Sequence, residues 1–371
     1  MVVKLFDSFN IDNLQWPQTS SADAAKNFLI PIIKNGTSFY FNNIKTTMSA
    51  LQIDDIVLPV TINRADYNNS YVCSPYGHYV GYCHDQLSGK SKKILSPLID
   101  AYGSLFKASK INQVVMVNNW LYSTNLYPKL STKQIQQIKD FLIQKYPSHT
   151  LIFRSINDAQ LPELTQILKD EKFKLIPSRI IYLTRADDEK AFKSRMFKSD
   201  LTTLSKSEYE ISSLNREDSQ RVAELYRMLN IDKYSKLNPE FKAEFIQLAI
   251  DNQLLSFKGL KKNNRLDAVV GFYTRDHMMT SPLFGYDTEL SSDLGLYRQL
   301  STILLKEAKA ENKFLHQSSG AGGFKKLRRA ESAVEYYAVY TDHLPFYRRA
   351  PWSFLKYVMG TIGLKVMQKS Q

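Results

Sequence analysis

Only two cysteines, Cys73 and Cys83, occur among the 371 residues. That scarcity excludes a disulfide framework and fits a reducing compartment. Long apolar runs are missing too: none reaches the roughly 18 residues that read as a membrane span. The opening Met1-Val-Val-Lys-Leu-Phe-Asp lacks the apolar stretch of a secretory signal. The expectation is a cytoplasmic protein with no transmembrane segment. Walker-type phosphate loops, Gly-x-Ser-x-Gly elbows and His-Glu-x-x-His pairs are all absent, so nucleotide hydrolysis, triad hydrolysis and zincin chemistry find no support. Cys73, His78, Cys83 and His84 can be drawn as a ligand set, but they lack the tight pairing of a zinc site, and no metal is expected.

Acidic residues are also in short supply, 36 against 49 Lys and Arg, which leaves a net charge of +13. The deficit deepens from Lys313 onward, where ten cations face only Glu331, Glu335 and Asp342 and carry +7 of that total. A local excess of this size points to an anionic partner, such as a nucleotide-bearing cofactor, RNA or anionic lipid, or else to a plain solvated basic surface. Aromatics, in contrast, are plentiful. The 20 Phe and 22 Tyr suffice to fill cores and still line a pocket with rings that carry polar handles.

The chain is long for one core, so two domains are expected. Two passages repeat one order of elements. In the first, Ile111 to Asn118 reads as a strand, Trp120 to Lys129 as a loop and Ser131 to Lys145 as a helix with Ile135, Ile138 and Leu142 on one face. Thr150 to Ser155 is a buried-type strand, Leu161 to Lys172 a helix and Pro177 to Thr184 a strand. In the second, Asp267 to Thr274 and His277 to Asp287 are strands, Ser291 to Gly295 a loop and Leu296 to Glu311 a helix. Phe314 to Ser318, Gly323 to Arg329 and Val334 to Tyr340 complete it as strand, short helix and strand. Helices joining consecutive strands imply crossovers and therefore mixed or parallel pairing. Residues 1–185 form the first domain in this reading, 186–207 a charged linker of helix plus loop and 208–371 the second domain. Asn215 is placed to cap Arg216 to Leu229, and Pro239 to open a helix that reaches Ile250.

One loop stands out. Gln317-Ser-Ser-Gly-Ala-Gly-Gly323 runs into Phe324-Lys325-Lys326-Leu327-Arg328-Arg329-Ala330, small residues that let backbone approach an anion, followed at once by four cations. On a short helix Lys325 shares a face with Arg328 or Arg329. His316, with an ordinary pKa near neutrality, is a candidate general base, or a strand-end histidine bonding locally; Tyr286 and Ser318 add hydroxyls beside it. Glu335, Tyr337 and Tyr340 are alternatives on the last strand. Asp232, Lys233 and Tyr234 join the two early helices of the second half. In the first half, Tyr76 and His78 lie in a turn-rich aromatic stretch, and Trp120 and Tyr122 form either a binding wall or a packed junction.

The layout of the second half resembles the GNAT acyltransferase fold, with Gly295 matching the glycine of that family's pyrophosphate loop; Asp293 and the lack of a basic residue depart from its pattern. The Gly-rich loop, Phe324-Lys325 and Ala330 together resemble the closing motif of Fem-type peptidyltransferases, which carry two GNAT-like domains in tandem; Arg329 stands where a Gly is usual. The resemblance covers roughly Lys110 to Tyr340. It implies an α/β chain of two GNAT-like domains, each a mixed central sheet flanked by helices, and acyl transfer to an amine. The implied donor is acyl-CoA or aminoacyl-tRNA as co-substrate, with no tightly bound cofactor. Gly295, Ser319, Gly320, Gly322, Lys325, Arg328 and Arg329 would hold donor or phosphate. Asp232, Lys233, Tyr234, Tyr76, His78, Trp120 and Tyr122 would meet a small-molecule or peptide amine. Transfer RNA and a membrane surface are candidate partners. The alternative is a non-catalytic protein that keeps the fold and holds RNA or another polyanion with its basic end.

Overall fold

Runs of β-branched and aromatic residues form twelve strands among the residues described by the computed structural model, 3–86 and 89–369. They are β1 Lys4–Phe6, β2 Thr47–Ile53, β3 Ile56–Asn63, β4 Val114–Val117, β5 Thr150–Ile156 and β6 Lys174–Thr184, then β7 Glu210–Ser212, β8 Ser256–Lys262, β9 Arg265–Arg275, β10 Met278–Tyr286, β11 Phe314–His316 and β12 Glu331–Tyr340. The chain divides into two units. Unit 1 comprises Met1–Arg179, Ser235–Glu240 and Val334–Ser370, and unit 2 comprises Ile180–Tyr234 and Phe241–Ala333.

In unit 1 the sheet runs β1-β2-β3-β4-β5-β12. β4 and β5 are parallel, Val114 to Val117 facing Thr150 to Phe153, and both are buried along their whole length. That is why β4 and the Leu151 to Phe153 part of β5 read as continuous apolar runs rather than alternating ones. The crossover between them is the helix Thr132–Lys145, started by a Ser131/Gln134 capping box and seated through Ile135, Ile138 and Leu142. The helix Ser20–Asn35, capped by Thr19, buries Phe28, Leu29 and Ile32. A mixed sheet flanked by helices is what the repeated strand and helix order predicts.

Three segments belong elsewhere than the sequence reading put them, the first being the end of β6 from Ile180, which falls in unit 2. Val334 to Tyr340, assigned there to the second domain, pairs antiparallel with β5 in unit 1, Ala338 opposite Phe153. Ser235–Glu240 also belongs to unit 1. The amide of Asn43 donates to the carbonyls of Lys236 and Asn238, and the Tyr71 N–H and Ser70 hydroxyl donate to that of Leu237. Those bonds hold Pro239 outside any helix, so the following helix starts later, at Ala243–Asp251, and the Asn238 side chain accepts from the Tyr82 hydroxyl.

Unit 2 has the order β6-β11-β10-β9-β8-β7, counting the last residues of β6. Asn215 caps as expected, in a box with Asp218, but the first turn is a tight Arg216–Asp218 turn before the helix Ser219–Arg227. The stretch read as a linking helix plus loop contains the helix Arg195–Ser205, which buries Phe197, Asp200 and Leu204. Its apolar residues join Leu300, Ile303 and Leu304 of the helix Leu296–Ala310 in one core with Val270 and Leu315. Among the described residues no helix is long and apolar enough to cross a membrane.

Backbone lies directly on backbone where β10 meets the helix Ser219–Arg227. A Cβ on Gly285 would stand 2.6 Å from the Leu225 carbonyl carbon and the Tyr226 nitrogen. Neither atom belongs to a flexible side chain, so Gly285→Ala should cost about 1–3 kcal/mol through forced backbone shifts. Urea unfolding of the variant checks this; an unchanged midpoint would refute the close approach.

Candidate functional site

Unit 2 carries an opening produced by its strands. β10 and β11 run parallel only over Met278 to Thr280 and Phe314 to His316. Beyond that point β10 shifts register between Thr280 and Leu283 and continues to Tyr286 paired with β9. The chain after β11 instead follows β6: the Gln317 N–H donates to the Tyr182 carbonyl at 2.8 Å and the Tyr182 N–H to that of Ser318 at 3.1 Å. The two strands therefore part, each keeping its outer neighbour. A bulge that re-aims one strand beside such a gap is a common device of binding sites.

His316 ends β11, buried at 1% exposure. Its Nδ1 accepts the Ser318 N–H at 3.0 Å, so the neutral ring carries its proton on Nε2. A base needs an open lone pair; here the Nδ1 lone pair is spent on the Ser318 N–H, so His316 shapes the loop, in line with the locally bonding strand-end histidine that the sequence also offered. Ser318 takes a left-handed conformation with φ of 59°, as do Gly320 at 76° and Ala321 at 48°, which turns the chain into the helix Gly322–Leu327.

The cations of this loop separate into internal and external. Lys325 Nζ donates to the carbonyls of Gln317 at 2.6 Å and Ser319 at 3.0 Å, clamping the loop from inside. Arg328 donates Nε and Nη2 to the two carboxylate oxygens of Asp200, at 2.6 and 2.9 Å, and Nη1 to the Phe324 carbonyl. Its guanidinium also lies 3.3 Å from the centre of the Phe324 ring. Asp200, fully buried in its side chain, receives Arg298 Nε at 2.5 Å as well. Arg328 is thus held by protein groups, which departs from the phosphate-binding role read from sequence. Arg329 is exposed, at φ of 63°, and its backbone N–H donates to the Lys326 carbonyl at 2.9 Å while its side chain makes no hydrogen bond or ion pair among the described residues. With Arg185 and Lys190 it lines an open cleft of about 530 Å³ that also receives four carboxylates.

On the other side of the opening an aromatic group gathers. Tyr297, in the first turn of the helix Leu296–Ala310, lies 5.0 Å from Phe324, 5.2 Å from Phe284 and 6.5 Å from Tyr286 between ring centres. Burial, and secondarily the neighbouring Tyr234, pushes the Tyr297 hydroxyl up to about 12. Lys233 Nζ stands 5.9 Å from the Tyr286 ring centre, and burial raises Tyr234 above the usual phenol range. Asp232 instead pairs with Arg227 at 3.9 Å on the surface. Gly295, at φ of 62°, starts the helix that presents Tyr297. The structure therefore brings Tyr286, Lys233, Tyr234 and Phe324 together through Tyr297, a residue the sequence reading passed over; its signal was an aromatic two positions after the Gly295 turn.

The first-half candidates lie within unit 1. Trp120 and Tyr122 are buried at 6% and 2%, packed on Phe28, with Trp120 Nε1 donating to Asn118; of the two readings the packed one holds, and a binding wall would need these rings open. Tyr76 contacts Tyr67 and the Lys107 ammonium. His78 stacks on Tyr337 at 5.0 Å and donates Nε2–H to the Ser178 carbonyl. Beside it, Arg154 gives its guanidinium to the Val72, Tyr122 and Ser123 carbonyls, to Asn119 and to the Tyr337 hydroxyl. Arg179 forms a bidentate pair with Glu335, at 2.7 and 3.2 Å. Glu335 and Tyr337 are thereby committed to buried arginines. Among the described residues no group of three His, Cys, Asp or Glu side chains is arranged to hold a metal ion.

No family model matches the chain, and no curated protein matches it in sequence. Solved structures share its fold. FemX is 8% identical, with 85% of this chain and 91% of FemX covered at a TM-score of 0.50. A conserved protein of unknown function from Bacteroides thetaiotaomicron is 12% identical, covering 92% of this chain and all of that one at a TM-score of 0.49. L-PGS from Bacillus licheniformis is 12% identical over 66% of this chain and 82% of its own, with a TM-score of 0.46. The fold is Fem-like, as the resemblance implies.

Proposed function

We propose that the chain is an N-acyltransferase that moves an activated acyl or aminoacyl group onto an amine, with the donor's reactive end in the opening of unit 2. The observation that carries this reading is the parting of β10 and β11 after Thr280 and His316. Strands that separate leave backbone N–H and C=O groups without a ladder partner, and a bound ligand can satisfy them. Acyl transfer needs little more: an oriented amine, a hydrogen-bond donor for the developing oxyanion, and a proton for the leaving group. Tyr286, at the open end of β10, is assigned the donor role, and Lys233 and Tyr234 beside it the amine acceptor. His316 and Lys325 are positioning residues that fix the Ser318 to Gly320 backbone. Ser319, Gly320 and Gly322 offer close backbone approach, and Arg329 is the external cation for a phosphate.

Acyl-CoA and aminoacyl-tRNA remain the two donor classes, brought by the family resemblance. Asp293 beside Gly295 disfavours a pyrophosphate at that loop, which supports the second. The polyanion-binding alternative loses ground because Lys325 and Arg328 are internal.

The test combines ligand retention and turnover. Mass spectrometry of the purified chain should find retained acyl-CoA or charged tRNA, and the labelled acyl group should pass to an added amine. Tyr286→Phe should slow transfer about 10²-fold or more with donor binding kept. Lys325→Met should weaken donor binding as the loop loosens, and Lys325→Arg should restore part of it. Retention of neither donor, with no transfer from either, would overturn the assignment.

A further inference from the structure

The chain is helical from Phe346 onward, as Phe346–Val358, a wider π turn at Met359–Gly363 and Leu364–Lys369. One face is sealed into unit 1. Pro351, Trp352 and Leu355 are buried, and Arg348 donates to Gln113 and to the carbonyls of Ser148 and Lys110. A helix that merely covers its own domain turns a polar face outward. This one does the reverse: Phe346 is 74% exposed, Tyr347 60% and Tyr357 68%, and Ile362 and Val366 continue the apolar surface. Positions 346, 350, 354 and 357 follow the spacing of a single helical face, so the exposed rings form a stripe and are not scattered.

Charge narrows the occupant. Between His343 and Gln371 there is no Asp or Glu, while Arg349, Lys356 and Lys365 are exposed or partly exposed beside the stripe. Rings with polar tips and cations on long apolar stems, with no carboxylate among them, suit the headgroup boundary of a bilayer. The helix is too polar to cross one. We propose that this outer face, Phe346 to Val366, docks on an anionic phospholipid surface, lying in its plane and holding unit 1 against it. The proposal is independent of the acyl-transfer reading.

Sedimentation of the full chain with sucrose-loaded vesicles tests it. Vesicles of equal parts phosphatidylcholine and phosphatidylglycerol should pellet the protein, less so at high salt, and phosphatidylcholine alone should not. Reversing two charges, Arg349→Glu with Lys356→Glu, should lower the partition coefficient at least tenfold or so. Phe346→Ser with Tyr357→Ser should do the same by removing inserted rings. All four side chains lie off the buried face, and circular dichroism verifies that the variants fold. A Tyr357→Trp reporter should shift its emission to the blue on anionic vesicles. Equal pelleting with both vesicle types, wild-type binding by both variants, or a concentration-dependent dimer without vesicle binding would each overturn the proposal.

Discussion

An Asp200→Ala variant should lose about 3–5 kcal/mol of stability, because it leaves buried Arg328 and half-buried Arg298 without their counter-charge. The side chain of Asp200 has no exposure, and three guanidinium nitrogens donate to its two oxygens. Ordinary hydration is closed to Arg328, itself 6% exposed, so the uncompensated charge has no cheap refuge. Denaturant unfolding should show the loss, and hydrogen exchange should speed in 317–330, since the helix Gly322–Leu327 is tied to the Asp200 helix through Arg328. Asp200→Leu combined with Arg328→Met should recover much of the stability, as apolar replacements of buried ion pairs commonly do. A single variant as stable as the wild type would show that the three charges are not coupled.

Acidification should weaken unit 1 in a way that traces to His78. Burial, reinforced by the positive charges of Arg154 and Arg179, pulls this imidazole down to about 3. An unfolded histidine titrates near 6.5. The folded ring therefore refuses a proton that the unfolded ring accepts: the contribution is complete above about pH 6.5 and erodes as pH falls toward 3. Part of the ring reaches solvent although Nδ1 is closed off without a partner, so a discounted loss of about 2 kcal/mol between pH 6.5 and 4.5 is expected. His149, held near 4 by burial and by Arg348, and His343, lowered by burial, act in the same direction. Urea midpoints at several pH values should fall toward acid, with a shallower slope in His78→Phe, which keeps a ring on Tyr337. Parallel slopes in the two proteins would assign the acid sensitivity elsewhere.

Both effects reside in contacts between residues distant in sequence, which explains how much of the molecule could be read beforehand. The stripe of Ile135, Ile138 and Leu142, the cap at Asn215 and the apolar runs of β4 and of Leu151 to Phe153 were legible because helix period, cap chemistry and continuous burial are local patterns. The run of cations after Gly323 was legible as charge but not as function. Asp200, 128 positions before Arg328, decides that this cation faces inward, and no local pattern announces such a partner. Tyr297 was missed for the same reason, since its meaning comes from Phe324 and Phe284 meeting it across the opening.

What the amino-acid sequence determined by itself was the kind of each element, their repeated order and the charge imbalance of the final third, because propensity, periodicity and net charge belong to the chain before it folds. Tertiary structure alone decided that Val334 to Tyr340 pairs with β5, that Trp120 and Tyr122 are core, that the Nδ1 lone pair of His316 is taken by the Ser318 N–H where a base was expected, and that Arg329 stays outside while Lys325 and Arg328 turn in. Strand pairing, burial and counter-charge are relations between distant residues, and those relations come into being only when the chain closes on itself.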